Sequence, residues 1–258
     1  MNTPAPPPAR NSLPRVALLA CRVVEREIAL LAAGARHIVE TRFFEVGLHD
    51  RPNQLRARLQ GQLDLIESRE DIQAVILAYG LCGLGTAGLQ PARHKLVIPR
   101  AHDCITLLMG SKEAYAAHQR RCPTAYYYTP GWNRERRVPG PEKLAELKAE
   151  LAKKFDPDDV KYLLAAEREQ WARHDTASYL DFGTDDAEPE ADYARRCAHW
   201  LGWKFERLGG NAALLRDLLW AKWDAERFQI IEPGQRLGHS PDDAILRAEP
   251  AESKPSPE

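Results

Sequence analysis

The sequence predicts an α/β fold with a mainly parallel sheet flanked by helices. Short, uniformly apolar runs such as Val16–Cys21 and residues 74–79 are typical of strands that are buried on both faces. Between them, residues 53–68 carry Leu55, Leu59, Leu63 and Ile66 at helical spacing. Strands and helices alternate in this way along the chain, which favours Rossmann-like βα units.

The first half is predicted to alternate without a long interruption. After the strand Val16–Cys21 we expect a helix over 24–33, a strand over 37–45, the helix over 53–68, strands over 74–79 and 95–99, and a helix over 106–118. Residues 126–132 are a strand-like aromatic run that ends in a Pro-Gly turn.

The second half is predicted to be a smaller, helix-rich α/β unit that begins after Pro139-Gly140-Pro141. We expect helices over 142–154, 158–173, 191–201 and 212–220, and strands over 177–182, 203–208 and 228–232. The proline-rich, polar ends are predicted to be disordered. The predicted division is therefore a leader (1–14), an N-terminal domain (15–138), the second unit (139–238) and a tail (239–258).

Composition narrows the possible partners and the compartment. The 258 residues carry a formal net charge of -1, which does not favour nucleic acid or an anionic membrane as a partner. No run reaches about 18 apolar residues, and the N-terminus lacks a signal-peptide pattern. We therefore predict a cytoplasmic protein. Five cysteines in a reducing compartment suit free thiols or metal ligands better than disulfides.

Three of these cysteines follow predicted strands of the first half. Cys21 ends the first strand, Cys82 follows residues 74–79, and Cys104 follows residues 95–99. Ligands of parallel sheets bind beyond the carboxyl ends of the strands, so neighbouring strands would bring the thiols together. Three cysteines with an open fourth position suit a [4Fe–4S] cluster, or Zn²⁺ with His102 or water. The alternative is three inert, buried cysteines.

A glycine-rich segment surrounds the second of these cysteines. Residues 79–88 hold four glycines directly after a strand, of which Gly80, Gly83 and Gly85 are the predicted cofactor-binding positions. The spacing matches neither the dinucleotide fingerprint nor the P-loop. Its amides suit an anion or a cluster sulfide, and the alternative is a sharp structural turn.

Charged groups precede the third cysteine. Arg100, His102 and Asp103 combine a fixed cation, a titratable imidazole and a carboxylate in one short segment. We predict that Arg100 binds an anionic substrate, that His102 transfers protons and that Asp103 orients a neighbour. Asp103 also suits the N-cap of the following helix. The aromatic run 126–132 suits either core packing or a lid over the cysteines.

Several motifs together resemble the uncharacterised family named domain of unknown function 1638. They are Ala-Cys-Arg-Val-Val-Glu-Arg-Glu, Ala-Tyr-Gly-Leu-Cys-Gly, Ile-Pro-Arg-Ala-His-Asp-Cys, Tyr-Tyr-Thr-Pro-Gly-Trp and Trp-Asp-Ala-Glu-Arg-Phe-Gln-Ile-Ile-Glu-Pro-Gly. The resemblance runs over about residues 14–237 and places each of the three cysteines within a matching motif. It implies a link to corrinoid-dependent methyl transfer or one-carbon metabolism. Because no Asp-x-His-x-x-Gly motif occurs, a corrinoid would be carried by a partner protein.

We therefore favour a cytoplasmic metalloprotein, acting as an enzyme or as an accessory protein, with a [4Fe–4S] or zinc site at Cys21, Cys82 and Cys104. A small anionic substrate or cofactor and a methyltransferase or corrinoid protein are its expected partners. One alternative is a metal-free thiol enzyme that uses Cys104 or Cys82 with His102 as base. The other is a non-catalytic module that binds and delivers a cofactor.

Overall fold

A computed structural model describes residues 13–135 and 138–251. Its strands are β1 (Val16–Cys21), β2 (Ile38–Phe44), β3 (Ala74–Ala78), β4 (Lys95–Pro99), β5 (Ala125–Tyr128), β6 (Thr176–Asp181), β7 (Lys204–Gly209), β8 (Phe228–Ile231), β9 (Gln235–His239) and β10 (Leu246–Pro250). Its α-helices are α1 (Glu25–Leu31), α2 (Pro52–Ile66), α3 (Cys104–Met109), α4 (Lys112–Arg121), α5 (Pro130–Arg134), α6 (Pro141–Leu151), α7 (Pro157–Trp171), α8 (Ala187–Leu201) and α9 (Ala213–Leu219).

The strands form two main sheets and a hairpin. The first sheet has the order β2-β1-β3-β4-β8, in which β2, β1, β3 and β4 run parallel and β8 pairs antiparallel with β4. The second sheet has the order β5-β6-β7 and is parallel throughout. β9 and β10 form the antiparallel hairpin. The predicted α/β class with mainly parallel sheets is confirmed.

The core of the first sheet explains why these segments fold as they do. Every residue of β1 and β3 is buried, as expected for central strands that helices cover on both faces. The helix α2 buries the four apolar side chains that share one face, Leu55, Leu59, Leu63 and Ile66. Each leucine or isoleucine buried in this way stabilises the fold by roughly 1.5–3 kcal/mol.

The sheets do not divide where the sequence was predicted to divide, between 138 and 139. β5 precedes that point but lies in the second sheet, and β8 follows it but closes the edge of the first sheet. Strand pairing joins residues far apart in sequence, so a composition break such as Pro139-Gly140-Pro141 does not reveal it.

The prediction of a disordered tail over 239–258 is wrong for the part that the structure describes. Residues 235–250 form the β9–β10 hairpin, whose apolar residues Leu237, Ile245 and Leu246 are buried. Residues 252–258 and the first twelve residues of the predicted leader lie outside the described ranges.

The helix predicted over 106–118 is two helices. Gly110 ends α3 in a left-handed conformation with φ of 83°, and Ser111 caps α4 by accepting a hydrogen bond from the Ala114 amide. Asp103 caps α3 in the same way through the Thr106 amide (3.0 Å). The turn at Gly110 matters because it directs α4 towards the second sheet.

The short helix α5 joins the two sheets. Its Gly131 packs so closely on the turn after β1 that a Cβ atom there would overlap the Val23 carbonyl oxygen. On the other side, the Asn133 amide donates to the Glu190 carbonyl on α8 (3.0 Å). The same junction buries Glu27 of α1. Among the described helices, none is long and apolar enough to cross a membrane.

Candidate functional site

The three cysteines lie at the carboxyl ends of adjacent strands. β1, β3 and β4 are neighbours in the first sheet, and Cys21 ends β1 while Cys82 follows β3 and Cys104 begins the helix after β4. All three are free thiols with 7% to 9% of their surface exposed. The strand order therefore brings together the three positions that the sequence singled out.

Backbone contacts hold the two cysteine loops against each other. The Leu81 amide donates to the Ala101 carbonyl (2.8 Å), and the Cys82 amide donates to the His102 carbonyl (2.9 Å). Gly80 makes this approach possible, because a Cβ atom there would lie 2.6 Å from the Asp103 nitrogen. The loops that carry Cys82 and Cys104 are thus fixed relative to each other.

Cys82 has a backbone conformation that costs energy. Its φ is 47°, in the left-handed region that non-glycine residues adopt at a cost of roughly 1 kcal/mol or more, and Leu84 follows with φ of 69°. The buried Thr86 hydroxyl donates to the Gly80 carbonyl (3.1 Å) and closes the loop around them. Strain of this kind concentrates at functional sites, where the fold fixes a side chain in one direction.

The thiols share one electrostatic environment, centred on Tyr79. Burial, with smaller contributions from Asp103 and Cys21, raises the pKa of Cys82 to about 12. Burial, Asp103 and the other two thiols raise the pKa of Cys104 well above its usual value. Burial also raises the pKa of Cys21, against hydrogen bonds from the Val23 amide and the Tyr79 hydroxyl. That hydroxyl has no oxygen or nitrogen partner in the described part of the chain. As they stand, the three thiols are therefore protonated at neutral pH.

A cavity of about 540 Å³ opens on Cys82 and Cys104, a volume that suits a small organic molecule. Residues next to both sheets form the rest of its lining. The aromatic rings and imidazoles among them are His49, His102, Tyr115, Tyr126, Tyr127, Trp132 and His174. The Trp132 ring contributes a hydrogen bond to Cys104 and packs edge-on against His49, with ring centres 5.3 Å apart.

The predicted catalytic residues separate into two places. His102 and Asp103 line the cavity, where Asp103 also accepts a hydrogen bond from the Tyr115 hydroxyl (3.4 Å). The guanidinium of Arg100 instead donates to the carbonyls of Ala225, Ala244 and Leu246 and to Gln229 Oε1. Arg100 therefore anchors the C-terminal hairpin, and its predicted role in binding substrate finds no support in these contacts.

The predicted glycine positions also differ from one another. Gly83, with φ of 62°, lines the cavity beside Cys82. Gly80 makes room for the Asp103 backbone, and Gly85 packs against the side chain of Leu55 on α2. Only Gly83 of the three is placed to approach a ligand in the cavity.

Within the described ranges, no group of three or more His, Cys, Asp or Glu side chains is spaced to hold a single metal ion. The three thiols are nevertheless close enough to raise one another's pKa. Cluster binding by these cysteines stays a prediction at this point.

The burial of these thiols predicts a clear order of chemical reactivity. With a pKa of about 12, only about one Cys82 side chain in ten thousand is a thiolate at pH 8. We expect iodoacetamide to modify the half-buried Cys122 at least ~10-fold faster than Cys21, Cys82 or Cys104. Mass spectrometry after short pulses measures this order, with Cys122→Ser as the control. Labelling of Cys82 or Cys104 as fast as Cys122 would instead support a nucleophilic thiol.

One side of the cavity is formed by α4, which the sequence did not lead us to expect. Tyr115 and Gln119 line the cavity, and His118 between them is buried beneath it. These residues lie three and four positions apart, the spacing of one helical face, so this pattern was available in the sequence. The partner of His118 is Glu206 on β7, and that long-range contact has no local signal.

Comparison with known proteins places the chain in a family. A family model described as "Protein of unknown function (DUF1638)" matches residues 43–219, which is more than half of the chain and includes Cys82 and Cys104 but not Cys21. A search of curated proteins and a search of solved structures both found no match. The matched segment spans α2 to α9 and thus most of the cavity described above. The chain therefore belongs to the DUF1638 family of proteins of unknown function.

Proposed function

We propose that this protein is a metalloenzyme in which Cys21, Cys82 and Cys104 hold an iron–sulfur cluster at the base of the cavity. The observation that carries the proposal is the convergence of three buried thiols at adjacent strand ends. In a metal-free protein, the three buried thiols would stabilise the fold only through small apolar contacts. A bound metal centre supplies the positive charge that makes such thiols ionise.

The donor set favours a cluster over zinc. Structural and catalytic zinc sites bring their ligands within about 2.3 Å of one ion. The described side chains contain no such group, whereas the three thiols still interact electrostatically. A [4Fe–4S] cluster would take each cysteine on a separate iron, so it would not need the three sulfurs around one ion. Three cysteine ligands would leave one iron open, which would supply Lewis-acid or redox chemistry to a bound substrate.

The walls of the cavity support a small, anionic substrate. His49, His102 and His174 present imidazoles that donate hydrogen bonds to an anion, and the aromatic rings of Tyr126 and Trp132 exclude water beside them. His102 and Asp103 line the same cavity as Cys104, so a substrate bound there would lie within reach of both. The predicted link to corrinoid-dependent methyl transfer rests on the family resemblance alone.

The raised pKa values disfavour the metal-free thiol enzyme. Nucleophilic cysteines work because a cation, a helix end or a paired histidine lowers their pKa. Here burial and the neighbouring thiols raise the pKa of both Cys82 and Cys104, even though Cys104 begins the short helix α3. The described contacts provide no cation beside either sulfur that would reverse this.

Metal analysis tests the proposal directly. We expect anaerobically purified protein to contain about four iron atoms and four acid-labile sulfides per chain. Cys82→Ser and Cys104→Ser should lose most of both. Cys122→Ser should keep them, because Cys122 lies at the end of α4 and, unlike Cys21, is not among the groups that act on the Cys82 or Cys104 thiol. Far-ultraviolet circular dichroism of each variant confirms that the fold persists.

Other outcomes would overturn the proposal in identifiable ways. One zinc per chain that is lost in Cys82→Ser would replace the cluster with a mononuclear site. Iron that remains in both cysteine variants would show that the metal binds elsewhere. Protein that holds no metal under strictly anaerobic conditions, and that binds a small anion without turnover, would favour the cofactor-delivery module.

A further inference from the structure

A chain of hydrogen bonds leads from the cavity wall into the second sheet. The hydroxyl of Tyr127 lies 2.7 Å from His118 Nδ1, and the Gln119 amide donates to the same hydroxyl oxygen (2.9 Å). On the far side of the imidazole, His118 Nε2 lies 2.7 Å from Glu206 Oε1. His118 is only 5% exposed, so bulk water does not compete for these bonds.

The second sheet sets this arrangement in place. Tyr127 on β5 is paired in register with Ser178 on β6, and Ser178 is paired with Glu206 on β7. Tyr127, Ser178 and Glu206 therefore form a row across three strands. His118 on α4 contacts both ends of this row. Because strands are rigid supports, the row holds the phenol, imidazole and carboxylate in fixed relative positions.

The charge on Glu206 determines which ring nitrogen of His118 donates a hydrogen bond and which accepts one. Burial opposes the charge, but hydrogen bonds from Ser178 (2.6 Å) and His118 outweigh it and hold the pKa of Glu206 below its usual value. Arg121 adds a contact of 3.3 Å to the other carboxylate oxygen. An ionised carboxylate only accepts, so His118 Nε2 carries a hydrogen. In the neutral imidazole, Nδ1 is then free to accept from the Tyr127 hydroxyl.

We infer that Tyr127, His118 and Glu206 form an acid–base relay, in which the Tyr127 hydroxyl exchanges a proton with a substrate in the cavity. The inference rests on the proposed function only in assigning that substrate to the same cavity. Tyr127 is the group that contacts the substrate. His118 and Glu206 are positioning residues that act through it.

The proton balance of the relay is simple. An O–H or N–H group of the substrate gives its proton to the Tyr127 oxygen while the proton of Tyr127 passes to His118 Nδ1. The resulting imidazolium lies against the ionised Glu206, which stabilises its charge. The reverse transfer returns one proton to the product, so no oxidant or reductant is needed. The substrate class is thus a small molecule that carries an ionisable O–H or N–H group.

Nitrogen NMR of the full chain tests the relay without a substrate. In protein labelled with ¹⁵N-histidine, His118 is identified among the eight histidines by its loss in His118→Gln. We expect Nε2 of the wild-type ring to carry hydrogen, because the ionised Glu206 accepts from it, and we expect Nδ1 to accept from the Tyr127 hydroxyl. In Glu206→Gln this preference should weaken or reverse, because the amide no longer requires a donor. Tyr127→Phe should keep the Nε2 hydrogen and shift the Nδ1 resonance.

Controls test whether the direction of these hydrogen bonds depends on Tyr127 itself. Tyr126→Phe removes a neighbouring cavity hydroxyl and should leave the His118 spectrum unchanged. Hydrogen on Nδ1 of the wild-type protein, or an imidazolium that persists at pH 8, would overturn the relay, since Tyr127 could then not pass its proton on. Once His118 is assigned, the wild-type spectrum decides this even if Glu206→Gln or Tyr127→Phe fails to fold. Metal analysis of Tyr127→Phe reports independently on the cluster, so the two proposals can fail separately.

Discussion

Replacing Gly131 with alanine is expected to lower the free energy of unfolding by roughly 3 kcal/mol. The added Cβ atom would overlap the backbone carbonyl oxygen of Val23, which a rotamer change cannot relieve. Either α5 or the turn after β1 must move. Because Trp132 follows Gly131 and contributes a hydrogen bond to Cys104, the displacement should also disturb the cavity.

Calorimetry and urea unfolding measure this effect. For a chain of this size, we expect the melting temperature to fall by roughly 6–12 °C. The matched control is Gly61→Ala on the exposed side of α2, where a Cβ atom would meet no atom within 4 Å. That change should stabilise the protein by about 0.5–1 kcal/mol, because alanine is the better helix former. Equal effects of the two substitutions would contradict the close contact at α5.

Glu27→Gln is expected to stabilise the protein increasingly as the pH rises. Glu27 is 1% exposed, and neither carboxylate oxygen has a hydrogen-bond partner from another described residue. Burial raises its pKa to about 7 against the pull of its own backbone amide. Asp186 adds to the rise, and Arg134 and Arg26 partly oppose it. Since one pKa unit corresponds to about 1.4 kcal/mol, ionising Glu27 in the folded protein costs about 3 kcal/mol.

The sign follows from where the carboxyl group ionises. The carboxyl group loses its proton near pH 4.5 in the unfolded chain but only near pH 7 in the folded protein. The free energy of unfolding of the wild type therefore falls as the pH rises through that interval. Glutamine does not titrate. The stability of the variant relative to wild type should therefore be about 2 kcal/mol greater at pH 8 than at pH 5.

Urea unfolding at the two pH values measures this difference. Glu25→Gln is the control, since Glu25 lies on the same helix and is 38% exposed at its side chain. Its ion pairs with described residues are long, at 3.9 Å. A variant whose advantage is the same at pH 5 and pH 8 would show that Glu27 is not buried as an ionisable group.

Local patterns in the sequence predicted most helices and strands but not their long-range partners. The apolar runs of β1, β3 and β4 and the leucine spacing of α2 are local, and the structure has all four elements. The pairing of β8 with β4 and of β5 with β6 depends on contacts across more than 45 residues. The β9–β10 hairpin was missed because its polar, proline-flanked residues hide three buried apolar side chains.

In the candidate site too, local patterns could be predicted and long-range contacts could not. Three thiols at strand ends could be predicted, because parallel strands place their carboxyl ends on one edge of a sheet. The assignment of Arg100 to that edge relied on its sequence distance from Cys104, whereas its guanidinium is directed to the C-terminal hairpin. The row of Tyr127, Ser178 and Glu206 required the register of three strands, which the sequence alone does not supply.

The path of the chain between the two sheets determines what a single proteolytic cut can release. The chain passes to the second sheet between α4 and β5, and it returns between β7 and α9. The second sheet is therefore an insertion within the first unit. A protease that cuts either crossing once leaves the two units covalently joined through the other. Both walls of the cavity thus stay parts of one molecule after a single nick.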